Sequence, residues 1–189
     1  MRLILASASP RRQELLRNAG IDFEARASRV EERRRPDETA EDIAQRLARE
    51  KALDVAASSP AGSLVLGADT VVVVEGDVLG KPADAEDAAR MLRLLSGRTH
   101  RVITGICLVR APDAAEALQV ESTWVYFRSL DESEIQEYVA SGEPFDKAGA
   151  YAIQERASKF VTRIEGSYSN VMGLPVALVC EMLKAVLGR

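Results

Sequence analysis

Residues 64–82 read LVLGADTVVVVEGDVLGKP, and they indicate the class of fold because two fully apolar runs of strand length end in a turn. The runs predict two buried strand segments joined at Gly67–Thr70, and the EGD sequence at 75–77 predicts the turn. Strands of this kind belong to an α/β fold if helical patterns alternate with them along the chain.

Such patterns are present, and strand and helix patterns alternate from the start of the chain. Leu3–Ala6 is predicted as a strand, Pro10–Ala19 as a helix closed by Gly20, and Thr39 as the cap of a long helix over 40–57. The remaining predicted elements are strands at 21–25, 101–109 and 120–127 and helices at 85–95, 131–140 and 175–187. Residues 142–175 show little periodicity, which is typical of surface loop or of a site lining. The fold class predicted is α/β.

Composition limits the class of protein. A chain of 189 residues with 47% hydrophobic residues is expected to form one domain over 1–189. Trp124 is expected in the core, and the alternative is an interface. The net charge of −4 argues against a nucleic-acid binder. Cys107 and Cys180 lie in apolar runs, which predicts buried reduced thiols and a cytoplasmic location. We expect no signal peptide and no membrane span.

Lys51 does not fit its local pattern. In the long predicted helix it falls in the same column as Ile43, Leu47 and Val55, so it is expected to face inward. Burying an ammonium costs several kcal/mol unless an anion meets it. Lys51 therefore needs a carboxylate or phosphate partner, or else its stem passes the edge of the core and its charge reaches water.

Asp69 raises the same question with the opposite sign, because it lies between the apolar runs LVLG and TVVVV. A carboxylate at a strand break beside a cleft is commonly a metal ligand or a general base. The alternative is an aspartate that caps a turn after Gly67.

The segment SASPRR at 7–12 predicts a helix start with Ser9 as N-cap and Pro10 in the first position. Arg11 and Arg12 then lie in the first turn, where the helix dipole disfavours cations. The conflict disappears if an anion binds there, because helix N-termini and guanidinium groups both attract phosphate.

Several familiar kinds of site are excluded. The single histidine, His100, rules out a multi-histidine metal site, and neither a P-loop nor a dinucleotide-binding glycine motif is present. The remaining assortment of Arg, Lys, Asp and Glu suits phosphate and divalent-metal chemistry. By their local patterns alone, Glu32 and Lys81 are unremarkable, and Arg33–Arg35 resemble a solvated charge patch.

Seven ordered blocks together resemble the Maf family of nucleoside triphosphate pyrophosphatases over nearly the whole chain. They are LILASASPRRQELL, VEERRRP, RLAREKA, LVLGADTVVVVEGDVLGKP, MLRLLSGRTHRVITGI, DKAGAYAIQ and EGSYSNVMGLP. The resemblance implies an extended mixed β-sheet flanked by helices, with two lobes and a deep central cleft, similar to the inosine triphosphate pyrophosphatases. It also implies hydrolysis of a nucleoside triphosphate to the monophosphate and pyrophosphate with Mg²⁺ or Mn²⁺.

By this resemblance Asp69 matches the proton acceptor, and Glu32 matches an acidic residue near metal or substrate, so both are expected metal ligands. The positions that match phosphate contacts are Ser7, Arg11, Arg12, Lys51 and Lys81. Arg11, Thr70 and Gln154 match the specificity positions of the branch similar to dTTP/UTP pyrophosphatases. Residues 155–158 depart from the glycine-rich turn that is common in that branch.

Three functions remain open at this stage. The first is hydrolysis of dTTP and UTP or of modified pyrimidine nucleotides, and the second is the same chemistry on another base. The third is a nucleotide-binding regulator of cell division or septum formation. The presence of Asp69 argues against it, because a protein that only binds nucleotides could lose this carboxylate. The expected partner is a small-molecule nucleotide, without nucleic acid or membrane, and the family also suggests a homodimer.

Overall fold

The computed structural model describes residues 2–112 and 115–188, and the chain divides into two compact units. The first unit comprises Met1–Thr70, Thr104–Glu121 and Gly173–Arg189. The second comprises Val71–Ile103 and Ser122–Met172. The expectation of one domain over the whole chain stays a prediction.

Seven strands and six helices make up the regular structure of the described residues. The strands are β1 (Leu3–Leu5), β2 (Glu24–Ala25), β3 (Leu64–Val74), β4 (Asp77–Leu79), β5 (Thr99–Arg110), β6 (Ala115–Phe127) and β7 (Val161–Glu165). The helices are α1 (Pro10–Asn18), α2 (Ala40–Ala56), α3 (Ala85–Leu95), α4 (Glu132–Ala140), α5 (Tyr168–Val171) and α6 (Val176–Leu187). Short 3-10 helices occupy Glu143–Asp146, Ala148–Ala150 and Arg156–Phe160.

The strands form one mixed sheet in the order β2-β1-β3-β5-β6-β7, with β4 paired to β3. β1 pairs in parallel with β2 and β3, whereas β4 and β7 pair antiparallel with β3 and β6. This confirms the predicted α/β class with a mixed sheet and flanking helices.

Alternation along the strands divides the core of the first unit into two clusters. Leu3, Leu5 and Leu66 pack with Leu16 of α1 and Val179 of α6. The intervening side chains of the same strands pack against α2, as Ile4, Val65 and Cys107 do with Ala48 and Ala52. Both faces of this part of the sheet are therefore covered, which explains why its strands are apolar throughout.

The second unit has its own core, in which α3 and α4 pack on one face of the strands. Leu92 of α3 and Ile135 of α4 join Val125, Phe127 and Phe160 there. The opposite face of β6 is exposed at Trp124, which keeps 45% of its surface accessible. The preferred prediction that Trp124 lies in the core is wrong, because alternation along a strand does not reveal which face is covered. The alternative, an interface, stays a prediction.

The predicted helix starts are confirmed. The Ser9 hydroxyl accepts a hydrogen bond from the Arg12 amide at 3.5 Å, and Gly20 adopts φ 68° after α1. Thr39 and Asp42 form a capping box at the start of α2, with the acidic first turn that the helix dipole favours. The start of the site-bearing helix α2 is thus fixed by local chemistry.

Three predictions need correction. β3 is one continuous strand over Leu64–Val74, so Gly67–Thr70 does not separate two segments and Asp69 lies within a strand. The strand predicted at 21–25 shortens to Glu24–Ala25. Cys107 is a buried free thiol as predicted, whereas Cys180 is a free thiol that is only partly buried.

Candidate active site

The centre of the candidate site is a charge cluster in the first unit. Lys51 of α2 donates from Nζ to Asp69 Oδ1 and to Glu32 Oε1, both at 2.6 Å. Lys51 and Asp69 are 7% and 5% exposed, whereas the Glu32 side chain is 41% exposed. The inward orientation predicted for Lys51 is confirmed, and its anions are two carboxylates of this chain.

The position of Asp69 gives it an unusual electrostatic environment. Burial raises the pKa of its carboxyl, and the adjacent Lys51 and then Arg12 act in the opposite direction. Lys51 takes only Oδ1, and Oδ2 accepts no hydrogen bond from the described residues. A carboxylate with a raised pKa and one oxygen available to a ligand or water is suited to accept a proton.

A close contact between helix and sheet brings this cluster together. Gly67 of β3 lies so near α2 that an added Cβ would be 2.1 Å from the Ala48 carbonyl oxygen. A Cβ at Gly105 of β5 would likewise be 2.2 Å from the Ala44 carbonyl oxygen. Two glycines therefore allow α2 to approach the strands, and Lys51 thereby reaches Asp69.

Arg12 of α1 lies next to Asp69 and is held in three directions. Its Nε donates to the Gly173 carbonyl at 2.8 Å, Nη2 to Thr70 Oγ1 at 3.0 Å and Nη1 to Ser7 Oγ at 3.4 Å. Burial lowers the pKa of the Arg12 guanidinium, and the charges of Asp69 and Glu32 oppose that shift. Arg12 is thus fixed beside the carboxylates before any ligand binds.

Ser7 and Arg11 complete the N-terminus of α1. The buried Ser7 hydroxyl accepts from the Ser9 amide at 3.2 Å and so shapes the turn that precedes the helix. The partly buried side chain of Arg11 makes no hydrogen bond or ion pair with any described residue. Arg11 therefore contrasts with Arg12, whose guanidinium donates to three groups of the protein.

Lys81 and Gln154, the other two predicted site residues, belong to the second unit, where both are exposed. The Gly149 amide donates to the Gly80 carbonyl at 3.0 Å, which joins the segment of Lys81 to the segment that leads to Gln154. An added Cβ at Gly149 would be 2.9 Å from the Val72 side chain, so the close packing of residue 149 against Val72 requires a glycine. Their assignment to substrate stays a prediction.

Two residues of the site were missed at the level of sequence. The buried Thr104 hydroxyl lies 2.9 Å from Thr70 Oγ1, and Gly173 supplies the carbonyl that Arg12 binds. Gly173 falls in 142–175, for which a site lining was one of two interpretations. Thr104 could not be recognised from the sequence, because a threonine within an apolar strand is commonly an ordinary buried residue and no periodic pattern marks it as part of a site.

The carboxylates of the site could hold a small divalent cation only if a bound substrate supplied further oxygen ligands. In the part of the chain that the structure describes, no group of three or more His, Cys, Asp or Glu could hold a metal ion. Asp69 and Glu32 nevertheless offer carboxylate oxygens on either side of Lys51. Mg²⁺ is usually held by one or two carboxylates together with substrate phosphates and water, so these two residues fit that mode.

Comparisons with known proteins agree with one another. The model of the family described as "Maf-like protein" matches residues 2–186. A dTTP/UTP pyrophosphatase of Anaeromyxobacter sp. (strain Fw109-5) is 52% identical over 97% of this chain and 88% of that protein. A dTTP/UTP pyrophosphatase of Salmonella typhimurium is 52% identical over 96% of this chain and 91% of that protein.

Among solved structures, a nucleoside-triphosphatase (dITP/XTP pyrophosphatase) from Mycobacterium abscessus is similar with a TM-score of 0.41 and 17% identity. The match covers 67% of this chain and 74% of that one. None of the described helices is both long enough and apolar enough to cross a bilayer.

Proposed function

Since the chain belongs to the Maf family, we propose that it is a nucleoside triphosphate pyrophosphatase that converts dTTP and UTP to the monophosphate and pyrophosphate. The observation that carries this proposal is the buried Asp69, held by Lys51 at 2.6 Å and placed beside the arginine-bearing N-terminus of α1. The relatives named above carry the same activity in their names. We place the enzyme in the cytoplasm.

In the proposed mechanism the triphosphate binds at the N-terminus of α1. Arg11 and Arg12 neutralise phosphate oxygens there, and the helix dipole adds to their attraction. Arg11 can turn to the ligand without breaking a hydrogen bond or ion pair with a described residue, whereas Arg12 is already fixed by Gly173, Thr70 and Ser7. The ordered Arg12 lowers the entropy cost of binding.

Asp69 accepts a proton from the attacking water. The water oxygen forms a bond to the α-phosphorus, the bond from that phosphorus to the bridging oxygen breaks, and pyrophosphate leaves with the bonding electrons. Lys51 favours the ionised carboxylate and holds one of its oxygens, so Asp69 enters the step as a base. A divalent cation held by Asp69 and Glu32 would supply charge neutralisation at the phosphates.

We further propose that Arg11, Thr70 and Gln154 distinguish the base and that Lys81 binds phosphate. The three specificity positions match the dTTP/UTP branch in residue type. Thr70 Oγ1 accepts from Arg12 Nη2 at 3.0 Å and lies 2.9 Å from Thr104 Oγ1, so two neighbours restrict the side chain that would distinguish the base by a hydrogen bond.

A panel of canonical and modified triphosphates, with both products measured, tests the proposed function. We expect monophosphate and pyrophosphate in equal amounts, with dTTP and UTP among the best substrates. Absence of hydrolysis across the panel would favour a role in nucleotide binding alone.

Asp69→Asn tests the proposed base. The variant keeps the size of the side chain but removes its ability to accept the proton, so pyrophosphate release from dTTP should fall by about 100-fold to 10,000-fold. Turnover near that of the wild type would remove Asp69 from the catalytic role.

Replacing both Arg11 and Arg12 by Ala tests the phosphate clamp. In the proposed mechanism these guanidinium groups neutralise the negative charge of the phosphates both in the bound substrate and in the transition state. We therefore expect KM to rise and kcat to fall together. Unchanged steady-state kinetics of the double variant would contradict the clamp.

A further inference from the structure

The segment that carries Glu32 has no regular secondary structure between β2 and α2, yet it must place a carboxylate 2.6 Å from Lys51. A segment of this kind keeps one conformation only if side chains bind its backbone. The groups that do so are provided by α2, the helix that also carries Lys51.

The first half of this segment is held by Asp54 of α2. Its Oδ2 accepts a hydrogen bond from the Ser28 hydroxyl at 3.0 Å and from the Arg29 amide at 2.9 Å. These contacts fix the chain three residues before Glu32.

The second half is held by Arg46 of α2. Its Nη2 donates to the Arg33 carbonyl at 2.9 Å and to Glu38 Oε2 at 2.7 Å, while Nη1 donates to Glu50 Oε2 at 3.2 Å and Nε binds the other oxygen of Glu38. The Arg46 and Glu38 side chains are only 14% and 13% exposed. One guanidinium thus joins the segment to α2 directly after Glu32.

Only arginine can make this set of contacts. The planar guanidinium donates in several fixed directions, whereas a lysine ammonium is a compact charge on a flexible stem. Arg46 lowers the pKa of Glu38 to about 2, so the acceptor stays ionised. Glu38 also accepts from the Arg35 amide at 2.9 Å, which adds a second tie within the same segment.

We propose that Arg46, oriented by Glu38, is a positioning residue that sets the distance between Glu32 and Lys51 by binding the Arg33 carbonyl. This rests on the proposed function, because Glu32 matters to turnover only if the cluster around Asp69 is the reacting site. Arg46 acts through Glu32 and touches neither substrate nor the attacking water.

The test compares Arg46→Lys in the wild-type background with Arg46→Lys in the Glu32→Gln background. If Arg46 acts through Glu32, kcat/KM for dTTP falls about tenfold in the first background and less than about twofold in the second. The matched control is Arg49→Lys, about one turn further along α2, where the arginine donates to Glu116 at 2.6 Å. We expect the kcat/KM of this variant to stay within twofold of the wild-type value.

Amide hydrogen exchange supplies a readout independent of activity. Arg46→Lys should raise exchange at residues 31–35 while the amides of α2 and of the strands keep the rates of the wild type. A general loss of protection over the first unit would show a structural role and overturn the proposal.

Other outcomes separate this proposal from the proposed function. An equal loss of activity in both backgrounds, or unchanged exchange at 31–35, would refute positioning by Arg46. Glu32→Gln with wild-type turnover would refute it too while leaving the pyrophosphatase function intact. A wild-type protein that hydrolyses no triphosphate would refute the proposed function, and the exchange rates would still decide whether Arg46 holds the segment.

Discussion

At the scale of single residues, the central feature of the candidate site is a buried lysine between two carboxylates. Asp69 and Lys51 are both almost fully buried, and the ion pair between them offsets part of the cost of removing two charges from water. Glu32, which is more exposed, gives the cluster its second negative charge. The cluster therefore keeps three charged groups together at a cost in stability.

Lys51→Met tests this balance. Removing one partner of a buried ion pair leaves an uncompensated charge, so urea unfolding should show a loss of about 3–5 kcal/mol in the free energy of unfolding. Lys51→Met combined with Asp69→Asn should recover much of that loss, because the orphaned carboxylate is then neutral. Equal destabilisation of the single and double variants would show that the pair is not coupled.

The sequence predicted some of these residues for a physical reason. Lys51 was found because the helical period fixes its column, and the same logic identifies any charged residue in an apolar stripe. Arg46 was not predicted, because its role depends on the path of an irregular segment that no periodicity encodes. Asp69 was identified as unusual, but its place within one continuous strand was not, since a polar residue in an apolar run resembles a break.

At the scale of elements, the approach of α2 to β3 determines the geometry of the site. Gly67 lies two residues before Asp69, and Ala48, whose carbonyl it contacts, lies less than one turn before Lys51. Any side chain at Gly67 must push the helix away from the strand and so move the lysine from the carboxylate.

Gly67→Ala should therefore affect stability and activity together. Overpacking costs about 1–3 kcal/mol, and kcat should also fall in the fraction that remains folded. Gly62→Ala is the control, because Gly62 has φ 80° with open space around it, so strain arises there without displacement of α2. If Gly67→Ala kept the kcat of the wild type, the close approach would not be what sets the site.

A second element-scale feature lies in the core of the other unit. His100 of β5 is fully buried, with Nε2 2.7 Å from the Tyr151 hydroxyl and edge-on contacts to the rings of Phe127 and Tyr151. Its Nδ1 has no hydrogen-bond partner among the described residues. Burial lowers the pKa of His100 to about 3, so the imidazole is neutral in the folded protein.

This burial predicts a pH dependence of stability. The unfolded chain binds a proton at His100 near pH 6.5, whereas the folded chain binds it only near pH 3, so acidification between these values favours unfolding. The wild type should lose up to about 1.4 kcal/mol per pH unit more than His100→Gln across this window. Parallel curves of unfolding free energy against pH for the two proteins would contradict the buried neutral histidine.

At the scale of the whole molecule, the predicted α/β class and the five predicted helices are confirmed, whereas the short elements between 143 and 171 are not predicted by any pattern. β7, α5 and the three 3-10 helices occupy 143–171, where glycines and polar residues hide any period. Trp124 shows a second reason why prediction from the sequence fails. Alternation separates the two faces of a strand but does not indicate which face a helix covers.

The division of the chain into two units also separates the predicted site residues. Asp69, Lys51, Glu32 and the α1 residues belong to the first unit, where the structure brings them together. Lys81 and Gln154 belong to the second unit.

Hydrolysis of dTTP in water enriched in ¹⁸O tests the central claim most directly, because the label records which phosphorus atom the water attacks. If Asp69 directs water to the α-phosphorus, mass spectrometry should find one ¹⁸O atom in dTMP and none in pyrophosphate. Label in pyrophosphate, or orthophosphate as the first product, would contradict the account.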